Sequence, residues 1–292
     1  MADLRDMQLL DALARHSHFA RAAKDCGISQ SAFSARIRNM EHELGSPLVK
    51  RGNRFMGFTE EGHIALKWAR QLLVDANGMR QEIEVLKGTL SGNISIGVIP
   101  TALTFAAELP VRLRDTYPNL SIQIFSSSST QIMKGLEDFS LDAGITYLDD
   151  DIPSSLQVKP LYEEKYVLLI PAALAPRSRG QISWREAADL PLCLLTKDMH
   201  NRKILDRIFE KAGVETKPII ETNSFIVALA QVSIGSAATI APKMLAASLP
   251  VETNTVQLEL NEPEAAIPIG LLVADRDPAL PSITALIKTI FH

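Results

Sequence analysis

Residues 18–59, HFARAAKDCGISQSAFSARIRNMEHELGSPLVKRGNRFMGFT, constrain the fold of this chain most strongly. Gly27 stands where a first short helix should end, because glycine tolerates the left-handed backbone of a helix C-terminus. Ser29 then offers a hydroxyl N-cap to a second helix. Four apolar residues at helical spacing predict the buried face of that second helix: Phe33, Ile37, Met40 and Leu44. The pattern predicts a helix-turn-helix, the element that reads the major groove of DNA.

The polar residues of the second helix are the candidate DNA contacts. Those expected to face base edges and phosphates are Gln30, Ser31, Ser34 and Arg36. Arg38 and Arg54 are expected to secure the DNA backbone or the minor groove. Lys50, Arg51 and Arg54 cluster in a following basic hairpin, and a hairpin that lies along DNA needs cations to meet phosphates.

The same residues carry a family resemblance. AAKDCGISQSAFSARIRNMEHELGSPLVKR resembles the N-terminal winged helix-turn-helix of LysR-type transcriptional regulators, and FTEEG continues the match. Further along, GLEDFSLDAGI and VSIGSAATIAP resemble two motifs of that family's effector domain. The resemblance covers nearly the whole chain. It implies a sequence-specific DNA-binding transcriptional regulator that is controlled by a small-molecule effector.

Charge and composition agree with this interpretation. The 292 residues suggest about two domains. Residues 1–58 hold nine Lys and Arg against six Asp and Glu, a net charge of +3, whereas residues 91–292 hold 17 against 23, a net charge of −6. A basic module on an acidic body is typical of a DNA reader joined to a domain with another task.

Two cysteines and the apolar pattern indicate the compartment. Cys26 and Cys193 lie in different predicted domains, so a structural disulfide is not expected and a reducing cytoplasm is the better prediction. No segment has the pattern of a signal peptide or a bilayer-spanning helix. Both cysteines are interpreted as small buried apolar residues, with redox sensing or metal binding as the alternatives.

A long helix is predicted after the hairpin. Thr59 can cap it, and Glu60 and Glu61 favour its N-terminal dipole. Apolar residues then recur every three or four positions; the candidate dimerisation residues among them are Ile64, Trp68, Leu72, Met79, Ile83 and Leu86. Such a stripe needs a partner. Docking on its own domain is the alternative, and the resemblance implies the family's dimerisation helix. Gly88 and the segment 90–92 are expected to end it as a hinge.

From Asn93 onward strand and helix patterns alternate, which predicts a mostly parallel sheet with helices on both faces. The resemblance implies a two-lobed α/β effector domain similar to type 2 periplasmic binding proteins. The overall class is therefore α/β, with an N-terminal all-α winged helix-turn-helix and a long linker helix. The expected domains are 1–58 for DNA binding, 59–90 for the linker and dimerisation helix, and 91–292 for the effector. Within the last, the first lobe takes about 91–161 and 267–292, and the second about 162–266.

Ligands of such sheet domains bind beyond the carboxyl ends of the strands. Hydroxyls and helix N-termini there favour a small anion, such as a carboxylate. The candidate effector-binding residues are Thr101 and Ala102, Ser128 and Ser129, Thr196 and His200, and Asn223 and Ser224. Arg202 is the only arginine near these loops. Ordinary helix capping is the alternative for each hydroxyl.

Two other classes of protein remain as alternatives. An enzyme is disfavoured, because the serine run lacks a nucleophile-elbow pattern and no phosphate-binding loop, zinc spacing or dinucleotide fingerprint appears. A solute-binding protein would not need the reading helix. We therefore expect no catalytic residue, no metal and no cofactor beyond the effector. The expected partners are double-stranded DNA, a small anionic effector, further copies of the chain as a homodimer or tetramer, and RNA polymerase, with no membrane partner.

Overall fold

The computed structural model describes residues 3–50, 52, 55–148, 152–176, 180–248 and 254–291. The N-terminal part is helical. Its helices are α1 (Leu4–His16), α2 (Phe19–Asp25), α3 (Gln30–Leu44) and the 27-residue α4 (Glu60–Leu86). No helix within these described ranges is long and apolar enough to cross a lipid bilayer.

Local sequence sets the helix ends. The Ser29 side chain accepts a hydrogen bond from the Ala32 N–H and so caps α3. Thr59 caps α4 in the same way, by accepting from the Gly62 N–H. Gly27 and Gly45 both have φ of +68°, the left-handed conformation that favours glycine. The predicted turn, caps and long helix are confirmed.

The helix-turn-helix packs around one apolar core. Phe33, Ile37 and Met40 of α3 are buried in it, as the spacing predicts. Leu44 is the exception, because it is 55% exposed and belongs to no buried cluster. The last turn of α3 extends past the core, so the prediction for Leu44 was wrong. The hairpin begins where Val49 pairs antiparallel with Phe58.

Helix α4 packs against both parts of its own chain with one face. Leu66 and Ala69 are buried in the helix-turn-helix core. Further along the same helix, Gln81 is fully buried, and its Oε1 accepts a hydrogen bond from the Ser282 N–H at 3.2 Å. The opposite face of α4 is exposed. The helix therefore connects the two parts of the molecule through side chains as well as through the chain.

The effector domain begins with the first lobe. Its elements are β1 (Gly92–Val98), a 3-10 turn (Pro100–Ala102), α5 (Leu103–Thr116), β2 (Leu120–Ser126), α6 (Ser129–Glu137), β3 (Ala143–Tyr147) and β4 (Leu156–Glu164). The second lobe follows directly. Its elements are β5 (Tyr166–Pro171), β6 (Gln181–Ser183), α7 (Trp184–Ala188), β7 (Cys193–Leu195), α8 (His200–Lys211), β8 (Ile220–Thr222), α9 (Phe225–Ser233), β9 (Thr239–Pro242), α10 (Lys243–Ser248) and β10 (Thr255–Asn261).

The chain then returns to the first lobe with β11 (Ile267–Ala274) and α11 (Pro281–Phe291). The first-lobe sheet has the order β2-β1-β3-β11-β4, and the second-lobe sheet has the order β6-β10-β5-β9 beside the pair β7-β8. The return at Ile267 agrees with the predicted lobe boundary. The chain crosses between lobes at Lys165, three residues beyond the start predicted for the second lobe.

The sheets are mixed, so the prediction of mostly parallel strands was wrong. β1 is parallel to β2 and β3, but β11 is antiparallel to both β3 and β4, and β5 is antiparallel to β9 and β10. The antiparallel pairs arise because the chain crosses between lobes and comes back.

The sequence also failed to predict β4. Its burial alternates irregularly and it contains Pro160, which pairs with Gly270 beside a register shift. Proline has no N–H for a ladder and is confined to edges and bulges, so the strand pattern is weak at this edge strand.

Candidate functional site

Helix α3 presents a polar face opposite its buried stripe. Gln30, Ser31 and Arg38 are exposed and Ser34 is partly buried, all away from the apolar core. The hydroxyls of Ser29 and Ser31 lie 3.0 Å apart at the helix N-terminus. This face carries neutral hydrogen-bonding groups at its start and a cation one turn later, an arrangement suited to base edges and phosphates. Arg51 and Arg54, the predicted hairpin contacts, lie outside the described residues.

Arg36 has a different place from the one expected. Its Nε donates to Asp6 Oδ1 at 2.7 Å, and its Nη2 donates to both carboxylate oxygens of Asp3 at 3.0–3.1 Å. Asp3 and Asp6 form the capping box of α1, so the guanidinium is held between α3 and that helix end. In the free chain Arg36 therefore helps to position α3 on α1, and its role as a DNA contact stays a prediction. Its spacing along α3 could not reveal two carboxylates thirty residues earlier.

A second arginine joins three parts of the chain. Arg70 of α4 donates through Nε to Asp11 of α1 at 2.9 Å, and its Nη1 lies 3.0 Å from Asp138 Oδ2, beyond the end of α6. The Arg70 side chain is only 11% exposed, so these pairs are screened less than surface ion pairs. Arg276 pairs with Asp75 of α4 from the effector side. These ion pairs thus link the effector domain to the helix-turn-helix and its hairpin, residues 1–58, which we call the reading head.

The predicted dimerisation stripe lies on the solvent face of α4. In this single chain the exposed fractions are 61% for Ile64, 64% for Trp68, 45% for Leu72, 64% for Met79, 47% for Ile83 and 88% for Leu86. The stripe does not dock on its own domain, which was the alternative interpretation. A continuous apolar face of this kind is typical of a surface that another protein covers.

The two lobes meet at a buried cluster of polar side chains. Thr101 comes from the turn after β1, Tyr147 ends β3, Glu164 ends β4, Tyr166 begins β5 and Asn201 lies in the first turn of α8. Each of the five is at most 5% exposed. We call this set the interlobe cluster. Both lobes contribute to it, so separation of the lobes would expose it.

Hydrogen bonds connect the interlobe cluster. The Thr101 hydroxyl lies 3.1 Å from the Tyr147 hydroxyl, and Tyr166 donates to Glu164 Oε1 at 2.7 Å. Asn201 Nδ2 donates to the Tyr166 hydroxyl at 3.3 Å and lies 3.5 Å from the Tyr147 hydroxyl. Two atoms remain without a hydrogen-bond partner among the described residues: Glu164 Oε2 and Asn201 Oδ1.

Burial controls ionisation in this cluster. It raises the pKa of Glu164 to about 7, against the lowering effect of the hydroxyls of Tyr166, Thr101 and Tyr147. Burial and the Glu164 carboxyl also raise the pKa values of Tyr147 and Tyr166 well above their usual range. Strongly perturbed groups that converge at a lobe junction are a mark of a binding site.

The structure brings some of the predicted effector residues together here. Thr101 is in the cluster, the buried Ala102 follows it, and the His200 ring stacks on the Tyr147 ring with centroids 4.8 Å apart. Thr196 Oγ1 is buried without a partner among the described residues. Four of the predicted residues neither belong to this cluster nor form hydrogen bonds with its members: Ser128, Ser129, Asn223 and Ser224.

Of these four, Ser128 caps α6 by accepting from the Gln131 N–H, which is the capping alternative. The Ser129 hydroxyl accepts from Thr146 Oγ1 at 2.9 Å. Asn223 is exposed, and Ser224 precedes α9 without a side-chain cap. As predicted, the first pair lies in the first lobe and the second pair in the second lobe.

The sequence did not reveal three members of the cluster, Tyr147, Glu164 and Tyr166, whereas Asn201 ends the predicted ligand segment 196–201. Tyr147 follows from the rule that ligands bind at the carboxyl ends of strands, because a predicted strand ends there. Glu164 lies at the end of β4, which was not recognised. Its role depends on a strand order that only the fold supplies.

Arg202 is not available for an anion. Its Nε donates to Asp206 at 2.8 Å and its Nη1 donates to Glu221 at 2.6 Å and to the Leu195 carbonyl at 2.8 Å. A carboxylate between the lobes would therefore meet the buried carboxyl of Glu164 instead of a free guanidinium. The interlobe chemistry disfavours the anionic effector expected from the hydroxyl-rich loops.

A helix-turn-helix with a free polar face, joined to a two-lobed domain with a polar cluster at the lobe junction, defines a class: DNA-binding regulators that respond to a small ligand. Comparison with known proteins identifies the family. Residues 4–63 match the profile described as "Bacterial regulatory helix-turn-helix protein, lysR family", and residues 87–291 match "LysR substrate binding domain". The chain belongs to the LysR family and is a DNA-binding transcriptional regulator with an effector-binding domain.

Individual relatives extend along the whole chain. It is 29% identical over 280 residues to the DNA-binding transcriptional dual regulator OxyR of Escherichia coli K12, which covers 94% of this chain and 90% of that protein. It is 26% identical over 289 residues to a hydrogen peroxide-inducible genes activator of Pectobacterium carotovorum, covering 99% and 95%. The solved structure of a full-length OxyR variant from Pseudomonas aeruginosa has the same fold, with a TM-score of 0.81 at 21% identity, covering 99% and 98%.

Proposed function

We propose that the exposed polar face of α3 reads the target DNA. Gln30, Ser31 and Ser34 contact base edges, and Arg38 contacts phosphate, with Arg51 and Arg54 of the hairpin as further phosphate contacts. This proposal rests on the N-terminal half of α3, whose polar side chains are exposed or partly exposed. The same helix is capped at Ser29, and its opposite face is buried. A face of this kind has no packing role in the single chain.

The proposed functional unit is a homodimer or a tetramer built through α4. The exposed stripe of Ile64, Trp68, Leu72, Met79, Ile83 and Leu86 supports pairing with a second copy. Two reading heads then contact two half-sites, because a symmetric dimer matches a symmetric operator.

Control is proposed to come from a small effector between the lobes, without catalysis and without a metal or another cofactor. Its arrival changes how the lobes meet, and the Arg70 ion pairs transmit the change to α1 of the reading head. The proposed action is on chromosomal DNA in the cytoplasm, with RNA polymerase as the responding partner.

The names of relatives suggest a second signal, hydrogen peroxide, but the cysteines of this chain do not support it. A peroxide-reactive thiol needs a low pKa and access to solvent. Cys193 is fully buried in β7, and burial raises its pKa. Cys26 lies in the reading head, and burial raises its pKa too. A bound ligand is therefore the favoured signal.

A gel-shift titration of the full chain on the DNA upstream of its own gene tests the reading head. Gln30→Ala should weaken discrimination between specific and unrelated DNA by about 1–3 kcal/mol, the usual value of one good base contact. Arg38→Ala should weaken binding to all sequences and make the salt dependence shallower by about one unit. Arg36→Gln is the control, because its partners are Asp3 and Asp6. Unchanged binding by both test variants would contradict the assignment of α3.

Ile83→Asp tests the oligomer. An unpaired carboxylate in an apolar interface is costly, so light scattering should show loss of the dimer, and affinity for two-fold-symmetric DNA should fall. Glu82→Asp, on an exposed neighbouring position, serves as control. An unchanged oligomer in Ile83→Asp would mean that this stripe is not the interface.

A further inference from the structure

The interlobe cluster has an excess of hydrogen-bond acceptors. Glu164 Oε2 and Asn201 Oδ1 are buried, and neither has a partner in the described part of the chain. The two residues meet at one hydroxyl, since Tyr166 donates to Glu164 Oε1 and accepts from Asn201 Nδ2. Buried acceptors without donors are costly. When Glu164 is ionised, a ligand that supplies hydrogen-bond donors satisfies both of these atoms.

The cluster also lacks compensation for a carboxylate. The side chains that act on the ionisation of Glu164 are the neutral hydroxyls of Tyr166, Thr101 and Tyr147. Arg202, next to Asn201 in α8, is engaged by Asp206 and Glu221. A buried carboxylate is stable only when it is paired. A cation from outside the chain would provide that pair.

Two tyrosines bring their hydroxyls to the cluster, Tyr147 and Tyr166. The Tyr147 ring is stacked on His200, and the Tyr166 ring contacts the edge of Trp184 with centroids 6.3 Å apart. Tyr162 responds to the charge of Glu164, and its hydroxyl is buried without a partner among the described residues. A buried carboxyl beside an amide oxygen, neither fully paired within the described residues, has the chemistry of an amine site.

We propose that the effector is a small cationic amine whose ammonium group donates to Glu164 Oε2 and Asn201 Oδ1. This inference rests on the proposed function, because it names the ligand class of the same interlobe site. The cluster residues are at most 5% exposed, so the ligand enters when the lobes separate about the crossing at Lys165. When the lobes close again, the bound ammonium group satisfies both buried acceptors.

Calorimetry on the full-length chain with three probes of one carbon skeleton tests this proposal. The probes are n-butylammonium, butyramide and butyrate, which differ in charge and in donors. We expect n-butylammonium to bind at least about tenfold more tightly than either of the others. Glu164→Gln should lose about tenfold or more of that affinity, because the neutral amide cannot pair with the cation. Glu163→Gln, the exposed neighbour, is the matched control and should bind like the native chain.

Proton release provides a second readout. Burial raises the pKa of Glu164 to about 7, so the free site is largely protonated at about one pH unit below that value. The bound ammonium favours the carboxylate, and the proton passes to the buffer. Titrations in phosphate and in a buffer with a larger heat of ionisation should therefore reveal proton release for the native chain and none for Glu164→Gln. The tyrosines whose ionisation is coupled to Glu164, which are Tyr147, Tyr162 and Tyr166, have raised pKa values and stay neutral in the native chain and in Glu164→Gln.

Three results would overturn the amine proposal: butyrate binding more tightly than n-butylammonium, no binding of n-butylammonium at millimolar concentrations, or equal affinity in Glu164→Gln. The same preparations are tested by gel shift. If the native chain binds specific DNA but shows no preference for n-butylammonium, only the amine proposal is rejected. If the native chain does not bind specific DNA, the proposed function is rejected.

Discussion

The reading head and the interlobe cluster differ in how their charged side chains are paired. Arg36 of α3 and Arg70 of α4, which contact α1, have carboxylate partners at 2.7–3.1 Å, and the helix N-termini of the reading head are capped. In the interlobe cluster Glu164 has hydroxyl neighbours, and one carboxylate oxygen has no partner among the described residues. The first region satisfies its own polar groups. The second region leaves a group for something else to satisfy.

This difference indicates that the reading head keeps one conformation, whereas the lobe junction changes conformation. A satisfied network stabilises one geometry, because each alternative leaves a buried group unpaired. An unsatisfied group makes the closed empty state less favourable, and a ligand that pairs with it shifts the population of states. The following predictions test whether the two regions differ in this way.

The largest effect is expected at Gly62, where α4 touches the hairpin of the reading head. A Cβ at Gly62 would lie 1.9 Å from the Leu48 carbonyl oxygen, which belongs to the backbone and cannot move aside. Gly62→Ala should destabilise the reading head by about 3 kcal/mol or more, as measured by chemical unfolding, and abolish the gel shift.

Gly78→Ala on the same helix is the matched control. Its Cβ would lie 2.9 Å from Leu280 Cδ2, the flexible end of a side chain, and alanine gains about 1 kcal/mol of helix propensity. Its stability should change by no more than about 1 kcal/mol. Equal effects in both variants would mean that the reading head tolerates rearrangement, contrary to the comparison.

The interlobe cluster should respond to pH. In the unfolded chain Glu164 ionises near its usual value of 4.5, whereas in the folded chain burial raises its pKa to about 7. Its contribution to stability is full below pH 4.5 and is lost as the pH rises toward 7, since the unfolded state gives up its proton first. At pH 7 the loss is about 3 kcal/mol.

Glu164→Gln has no carboxyl to ionise, so its stability does not fall in this way as the pH rises. Unfolding by denaturant at several pH values should show the variant gaining about that amount over the native chain between about pH 4.5 and pH 7, while Glu163→Gln follows the native chain. Parallel curves for Glu164→Gln and the native chain would show that the carboxyl is already paired, and would remove the contrast between the two regions.

The smallest effect is expected at Arg36. Arg36→Gln breaks the bonds to Asp3 and Asp6, and because these pairs are partly exposed, chemical unfolding should show only a small loss of stability in the reading head. The salt dependence of DNA binding should stay that of the native chain. A shallower dependence in Arg36→Gln would return Arg36 to the set of phosphate contacts.

How much the sequence predicted differs between the same two regions. The turn at Gly27, the caps Ser29 and Thr59 and the stripe on α3 involve residues within one or two helical turns, so spacing alone identifies them. Leu44 failed because its exposure depends on where the core ends. The ion pairs of Arg36 were not predicted, because its partners Asp3 and Asp6 lie at the start of another helix.

The sequence alone determined the class of the chain, the start of α3 and the start of α4, the reading helix and the apolar stripe of α4, since all of these are periodic or local. Only the tertiary structure decided the mixed strand order, the edge strand β4 and the interlobe cluster. Thr101, Glu164 and Asn201 are far apart in the chain and meet because the chain crosses between the lobes. Burial there raises the Glu164 pKa to about 7, and burial is a property of the fold that no single stretch of residues contains.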